Sequence, residues 1–327
     1  MRVFFLPVTI SLAVCAISYW LGGSETLFLV ILLAILETTL SFDNAVINAR
    51  ILARMSPVWQ QRFLFWGIPV AVFGTRFVLP LLIVSVAAFL SPLEVARLAF
   101  LDPAAYWQHL AQAHTGIAVF GGAFLLMVSL KYFFDSEKTI HWIDMVERHL
   151  SRWGGIAAIE LAITLAIVLA CAALSPHEAL TILFGGGVGI LLFVGIEMIE
   201  EAFEVEAGRH ALFAGAALFL YLNTLDAAFS LDGVVAAFAV TNNLPVIIAG
   251  LGIGALFVRA FTVRLVHRRT LETLIYLEHG AHWAIFALSM CMLASIFVRI
   301  PEVIPGLIGI FFITLAYISS RHRRSNS

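Results

Sequence analysis

About ten apolar runs, at residues 3–21, 26–49, 63–90, 114–131, 154–174, 179–199, 211–240, 245–266, 281–299 and 303–319, govern what this 327-residue chain can fold into. Each is close to the roughly 20 residues that carry a helix across a bilayer. Lipid offers no partner to a backbone N–H or C=O, so segments of this length pair their backbone internally as helices. Charged residues make up only 12% of the chain against 61% hydrophobic ones, and the mean hydropathy is +1.00. That balance excludes a water-soluble domain of this size. The expectation is an all-α, polytopic membrane protein with about ten transmembrane helices. A net charge of -2 gives no footing for a nucleic-acid partner.

Cys15, Cys171 and Cys291 lie far apart, each inside an apolar run. They form neither a disulfide framework nor a metal cluster and read as buried thiols. The first apolar run continues to about Leu21, longer than the core of a cleaved leader, so an uncleaved first span is expected. Residues 91–113 form a mixed, proline-flanked connection. Residues 132–153 carry charges, with Ile140, Trp142, Ile143, Val146 and Leu150 at near-helical spacing, which predicts a helix lying in the interface.

Lysine and arginine set the orientation. Arg2, Arg50, Arg54, Arg62, Lys131, Lys138, Arg148, Arg152, Arg209, Arg264, Arg268, Arg269, Arg321, Arg323 and Arg324 all fall on the side of the N-terminus. Only Arg97 and Arg299 fall opposite, and Arg76 and Arg259 lie inside spans. Both termini are therefore expected to be cytoplasmic, in the inner membrane of a cell.

Within this apolar chain, Glu37-Thr-Thr-Leu-Ser-Phe-Asp43-Asn44 puts two acids six residues apart in the second run. Asp226-Ala-Ala-Phe-Ser-Leu-Asp232-Gly233 repeats the pattern in the seventh, again with Ser two before the second acid. Intramembrane acids are costly and mark function by default. The span count makes the two copies antiparallel. Other features recur in step: Gly67 to Arg76 and Gly250 to Arg259 have the same spacing, and Ala113-His114 parallels Ala281-His282. This predicts an inverted five-plus-five repeat, with residues 1–175 as the first half and 176–327 as the second, an organisation typical of secondary transporters.

Glu37, Ser41, Asn44 and Asn48 step by four, three and four and form one helical stripe, as do Asn223, Asp226, Ser230 and Gly233. Asp43 and Asp232 lie about 120° off these stripes on a straight helix. Local unwinding at Ser41–Asn44 and Ser230–Gly233 would let each pair converge and free carbonyl oxygens as ligands. Carboxylate, hydroxyl, amide and carbonyl oxygens suit hard divalent cations such as Mn²⁺, Mg²⁺ or Ca²⁺. The candidate ligands are Glu37, Ser41, Asp43, Asn44, Asp226, Ser230 and Asp232, with Asn48, Asn223, His114 and His282 as accessory positions. Arg76 and Arg259 would balance charge, since four carboxylates with two arginines leave the two net negative charges that one divalent cation cancels. Glu160 reads either as a proton carrier or as a protonated carboxyl bonded across helices. The acidic run Glu197, Glu200, Glu201, Glu204 and Glu206 reads as a solvated face, and Gly185-Gly-Gly-Val-Gly189 as a close helix contact.

At the acidic pairs the chain resembles the TerC family of integral membrane proteins, which is linked with tellurium resistance and manganese export. The resemblance rests on Glu37 to Asp43-Asn44, on Asp226 to Asp232 followed by Ala237-Phe-Ala-Val-Thr241, and on Arg76 and Arg259. The stretches Phe134-Asp-Ser-Glu-Lys138, His141-Trp142 and Leu277-Glu-His-Gly-Ala-His-Trp283 are similar to a less characterised branch known only as a domain of unknown function. Gly233 stands where better-known members carry Ser, and Asn223-Thr224 stands where they carry a Glu. The resemblance implies efflux of a divalent metal, Mn²⁺ first and Ca²⁺ or Mg²⁺ as alternatives, with protons as the exchanged ion. The bilayer, the cation and protons are then the partners, no fixed cofactor is implied, and a homo-oligomer stays open. The alternative is a non-transporting membrane partner or metal sensor. An intramembrane aspartyl protease is disfavoured, because Asp232 follows Ser-Leu and Asp226 follows Thr-Leu where that chemistry uses Gly-x-Gly-Asp; the chain is expected not to be an enzyme.

Overall fold

The computed structural model describes residues 2–88, 90–205, 211–241, 243–267, 273–301 and 303–326. It is 88% helical, with no strand among those residues. In chain order the helices are α1 (Arg2–Leu40), α2 (Phe42–Arg54), α3 (Pro57–Pro69), a π-helical segment (Val70–Val78) and α4 (Leu79–Ala88). Then come α5 (Pro92–Leu101), α6 (Pro103–Gln112), α7 (His114–Phe133), α8 (Asp144–Trp153) and α9 (Ile159–Leu174). A 3₁₀ turn (Pro176–Glu178) leads to α10 (Ala179–Val205), α11 (Ala211–Val240), α12 (Leu244–His267), α13 (Leu277–Ala294) and α14 (Val303–Asn326).

Five stretches are singly long and apolar enough to cross a membrane: Val3–Thr39, His114–Phe133, Pro176–Met198, Leu244–His267 and Ile304–Arg323. Pro57–Gly67 and Val70–Val86, inclined at 50°, make a sixth as a bent pair. Large apolar side chains stand exposed along α1, among them Phe5, Leu12, Trp20, Phe28 and Ile35. Water would not tolerate such a face, and lipid does. Among the described residues every regular element is helical, and five or six of the helices have the length and apolar composition of membrane spans.

The Val3–Thr39 stretch has about twice the length one crossing needs. It is divided at Gly23, whose φ of 70° and ψ of -161° are not helical and are open to glycine at little cost. The kink falls between the runs read at 3–21 and 26–49, and the second run continues past the end of α1 into α2. The run read at 154–174 yields a shorter helix, α9, of 16 residues. Ala158 adopts a left-handed φ of 55° and delays the helix start, while a side chain at Gly154 would collide with the Phe134 carbonyl. The connection at 91–113 folds into two capped helices. Ser91 and Glu94 form a capping box on α5, and the Asp102 carboxylate accepts from the Ala105 N–H at 3.1 Å to cap α6.

The chain divides into two compact units, each drawing on both halves of the sequence. The first comprises residues 1–114 and 219–267. Its centre is α12, buried along most of its length and packed against α1, α2, α3 and the π-helical segment. Gly250 and Gly254 present a smooth stripe to α1. A Cβ at Gly250 would fall 3.1 Å from the Val30 carbonyl, and one at Gly254 3.2 Å from that of Ala34. On α6, Tyr106 and Trp107 pack on Phe238 of α11, each with ring centroids 5.5 Å apart.

The second unit comprises residues 115–218 and 268–327. Helix α7 is its buried core. Gly185 of α10 abuts the Gly116 carbonyl, where a Cβ would sit at 2.8 Å, and Gly189 abuts that of Phe120 in the same way one turn on. The glycine run is thus a helix contact, as its apolar setting indicated. On the opposite side, Gly122 admits Leu293 of α13. Cys171 is buried, Cys15 and Cys291 are half-buried where burial was expected, and none of the three forms a disulfide.

Candidate functional site

Glu37, Asp43, Asp226 and Arg76 all belong to the first unit and are buried, with Arg76 only 2% exposed. The second apolar run is broken where its acids sit: α1 ends at Leu40, α2 begins at Phe42, and Ser41 between them has φ -99° and ψ 19°. The Ser41 hydroxyl donates to the Glu37 carboxylate at 3.0 Å. Asp43 then falls in the first turn of α2, where the helix dipole favours a carboxylate, and its Oδ1 accepts from the Asn44 N–H at 2.9 Å.

The matching break expected in the seventh run is absent. Helix α11 runs unbroken from Ala211 to Val240 through Asp226, Ser230, Asp232 and Gly233. Its local sequence, Leu225 to Val240, is rich in helix-forming Ala and Leu and carries no proline, so only a tertiary demand could open it. The Asp232 side chain lies outside the described residues. So do the side chains of Arg2, Glu200, Glu201, Glu204 and Arg324, and the whole of Glu206, Arg209, Arg268 and Arg269.

Arg76 joins the two acidic elements. Its guanidinium is ion-paired with Glu37 of α1, and its Nη1 lies 3.8 Å from Oδ2 of Asp226 on α11. The same Nη1 donates to the Ala71 carbonyl at 2.6 Å, and Nε is buried without a hydrogen-bond partner. Arg76 sits in the nine-residue π-helical segment, which is bounded by Pro69 and Pro80. The Thr75 hydroxyl also bonds to the Ala71 carbonyl, at 2.8 Å. Side chains thus claim the acceptor that an α-helical turn would use, and wide turns of this kind recur at functional positions.

Glu37 is seated by glycine. A Cβ on Gly233 would lie 2.9 Å from its Oε2, and one on Gly254 would overlap its aliphatic stem. Gly233 therefore makes room for the Glu37 carboxylate.

Arg259 behaves differently from its sequence counterpart. It is 6% exposed, donates to the Phe63 carbonyl at 3.0 Å and lies 4.1 Å from the centroid of the Phe63 ring. Its guanidinium fills the space that a side chain at Gly67 would need. Among the described residues, no carboxylate comes within ion-pairing distance of it. Its direct contacts are an aromatic face and a carbonyl, and Asp226 acts on it only as a charge beyond contact distance.

Several buried oxygens of this unit make no hydrogen bond: Asn44 Oδ1, Asn48 Oδ1, Asn223 Oδ1, Asp226 Oδ2 and Ser230 Oγ. Buried polar atoms are nearly always satisfied, so five unsatisfied oxygens on α2 and α11 call for an explanation. Among the described residues, no three His, Cys, Asp or Glu side chains converge as a metal cluster. A cation held here would draw on amide and hydroxyl oxygens beside single carboxylates.

The remaining candidates lie elsewhere. His114 begins α7 and is half-buried. His282 belongs to the second unit, bonds to the Glu278 carbonyl one turn back at 2.9 Å and stacks on Tyr132 at 3.6 Å. Glu160, also in the second unit, occupies the first turn of α9, half-buried, rather than the middle of a helix. Glu197 at the end of α10 is ion-paired with Lys131.

One buried acid escaped the sequence reading. Glu147 of α8 is fully buried. It accepts from the Trp142 N–H at 3.1 Å and from Trp283 Nε1 at 3.0 Å, and pairs with Lys138 at 3.0 Å and His279 at 2.7 Å. Its position was readable, since it falls between Ile143 and Leu150 on the apolar face of the amphipathic helix.

No curated protein and no solved structure matches the chain. Residues 42–327 match the family model described as "Protein of unknown function (DUF475)", and the chain belongs to that family.

Proposed function

We propose that the protein is a secondary transporter that exports a hard divalent cation, Mn²⁺ in the first place, in exchange for protons. The observation that carries this reading is the set of buried, unbonded oxygens on α2 and α11, in the same unit as Glu37, Asp43 and Asp226. Oxygen donors of mixed type with few carboxylates suit Mn²⁺, Ca²⁺ or Mg²⁺ better than a thiophilic metal. A purely structural tie accounts for Glu37, Arg76 and Asp226 but leaves the amide and hydroxyl oxygens of Asn44, Asn48, Asn223 and Ser230 without a role. The resemblance of the paired acids to the TerC pattern favours Mn²⁺ among the hard ions.

In this reading the ten apolar runs are ten crossings related by an inverted repeat, with both termini in the cytoplasm and the protein in the inner membrane. The break at Ser41 opens one half of the site, and intact α11 supplies the other. Protons compete with the cation for the carboxylates.

The test is uptake of Mn²⁺ into proteoliposomes holding the purified full chain under an imposed pH gradient, with Ca²⁺ and Mg²⁺ alongside. The wild type should carry Mn²⁺, and Asp43→Asn, Asp226→Asn and Asp232→Asn should each cut the flux at least about tenfold. A wild-type protein that moves none of these ions ends the transport reading and leaves a non-transporting membrane partner.

A further inference from the structure

We infer that Arg76 is an internal counterion that holds the place of the transported cation, and that the π-helical segment beneath it is the hinge that withdraws it. The inference rests on the transport reading and adds a moving part to it.

Two carboxylates from different helices, Glu37 and Asp226, face one guanidinium. Without a cation between them, buried carboxylates repel and lose charge. Arg76 supplies that cation in the empty protein. A divalent ion brought to the same acids meets a like charge at close range in a poorly screened interior, where the repulsion is strong. Loading therefore requires Arg76 to leave.

The surroundings of Arg76 suit such a departure. Its Nη1 already has acceptors within its own segment, the Ala71 carbonyl at 2.6 Å and the Thr75 hydroxyl at 3.3 Å, which stay with it when it moves. Its Nε holds no partner that would have to be broken. The segment from Val70 to Val78 is π-helical throughout, a longer run than the single wide turn usually seen. Converting one wide turn to an α turn changes the angular position of every residue that follows by about 100°. Pro69 and Pro80 weaken the ladder at both ends of the segment, because neither can donate. Arg259, by contrast, is pinned by the Phe63 carbonyl and ring and by the gap at Gly67. The fixed arginine and the movable one occupy matching sequence positions but have different work.

Equilibrium Mn²⁺ binding to the full chain in detergent tests this, comparing wild type with Arg76→Gln and Arg76→Lys. Removing the competing charge should tighten Mn²⁺ binding by at least about tenfold in Arg76→Gln, while Arg76→Lys stays within about threefold of wild type. Hydrogen–deuterium exchange on the wild type provides a second measurement that needs no variant to fold. Saturating Mn²⁺ should change exchange across residues 70–78 and leave 250–259 unchanged. A wild type that binds Mn²⁺, with Arg76→Gln no tighter or with no change at 70–78, overturns the counterion and leaves transport standing. A wild type that binds no Mn²⁺ overturns both.

Discussion

His279 Nδ1 of α13 lies 2.7 Å from Oε2 of Glu147 on α8, across 132 residues of sequence. Lys138 Nζ, at 3.0 Å from the same oxygen, rests 4.0 Å from the centroid of the Tyr132 ring, and Trp283 donates to Glu147 Oε1. One carboxylate thus fastens the connection between α7 and α9 to the start of α13. Breaking a buried ion pair from one side leaves the other charges stranded and costs roughly 3–5 kcal/mol. Glu147→Ala should therefore lower the melting midpoint of the detergent-solubilised protein by more than Glu147→Gln, which keeps the shape and one acceptor oxygen. Equal midpoints for Glu147→Ala and wild type would remove the fastening role.

The same carboxylate sets a pH dependence. Burial alone would raise the Glu147 carboxyl, but the hydrogen bond and charge of His279, the Lys138 ammonium and the Trp283 N–H together hold it well below the usual carboxylate range. A depressed folded value means the stabilisation is complete above the unfolded value of about 4.3 and drains away as pH falls through it toward the folded value. The difference in melting midpoint between wild type and Glu147→Gln should narrow below about pH 4.3. His279 and Lys138, with His141 beside His279, are the other titratable groups facing this carboxylate, so His279→Gln serves as the control for their contribution.

Glycine positions give a prediction about packing. Gly250 and Gly254 hold α12 against α1, whereas a Cβ on Gly187 meets nothing within 4 Å. Overpacking a tight contact costs about 1–3 kcal/mol, while a Gly to Ala change in an open helical position gains up to about 1 kcal/mol. Gly254→Ala should lower the melting midpoint and, by pressing on Glu37, also weaken Mn²⁺ binding. Gly187→Ala should hold or raise the midpoint and leave binding alone.

What the sequence revealed followed local rules. Helices were legible because lipid-length apolar runs have one backbone solution, and the break at Ser41 was legible because Glu37 and Asp43 cannot share a face on a straight helix. The same angular argument failed for α11, since it treats a helix alone. The local sequence there favours continuity, and Gly233 meets Glu37 through tertiary packing that no spacing encodes. Arg76 and Arg259 looked equivalent by position. Their difference comes from Phe63 and Gly67 on α3, which reach Arg259 from almost two hundred residues away. The division into two units that each mix early and late helices is likewise a matter of long-range contacts.

Ser230 separates a structural role from a ligand role most cleanly. Its hydroxyl is the side chain's only polar group, it is 2% exposed, and it makes no hydrogen bond. Removing a bonded buried hydroxyl costs about 1–3 kcal/mol by stranding its partner, but here no partner is left behind. Ser230→Ala should therefore leave the melting midpoint of the metal-free protein within a degree or two of wild type or raise it slightly. If the hydroxyl is reserved for a cation, the same variant should weaken Mn²⁺ binding several-fold and reduce the stabilisation that saturating Mn²⁺ gives, because ligand-induced stabilisation tracks affinity. Thr75→Val is the contrast, since the Thr75 hydroxyl is bonded to the Ala71 carbonyl at 2.8 Å. A metal-free midpoint that falls in Ser230→Ala, with Mn²⁺ binding unchanged, would make Ser230 a packing residue and remove it from the site.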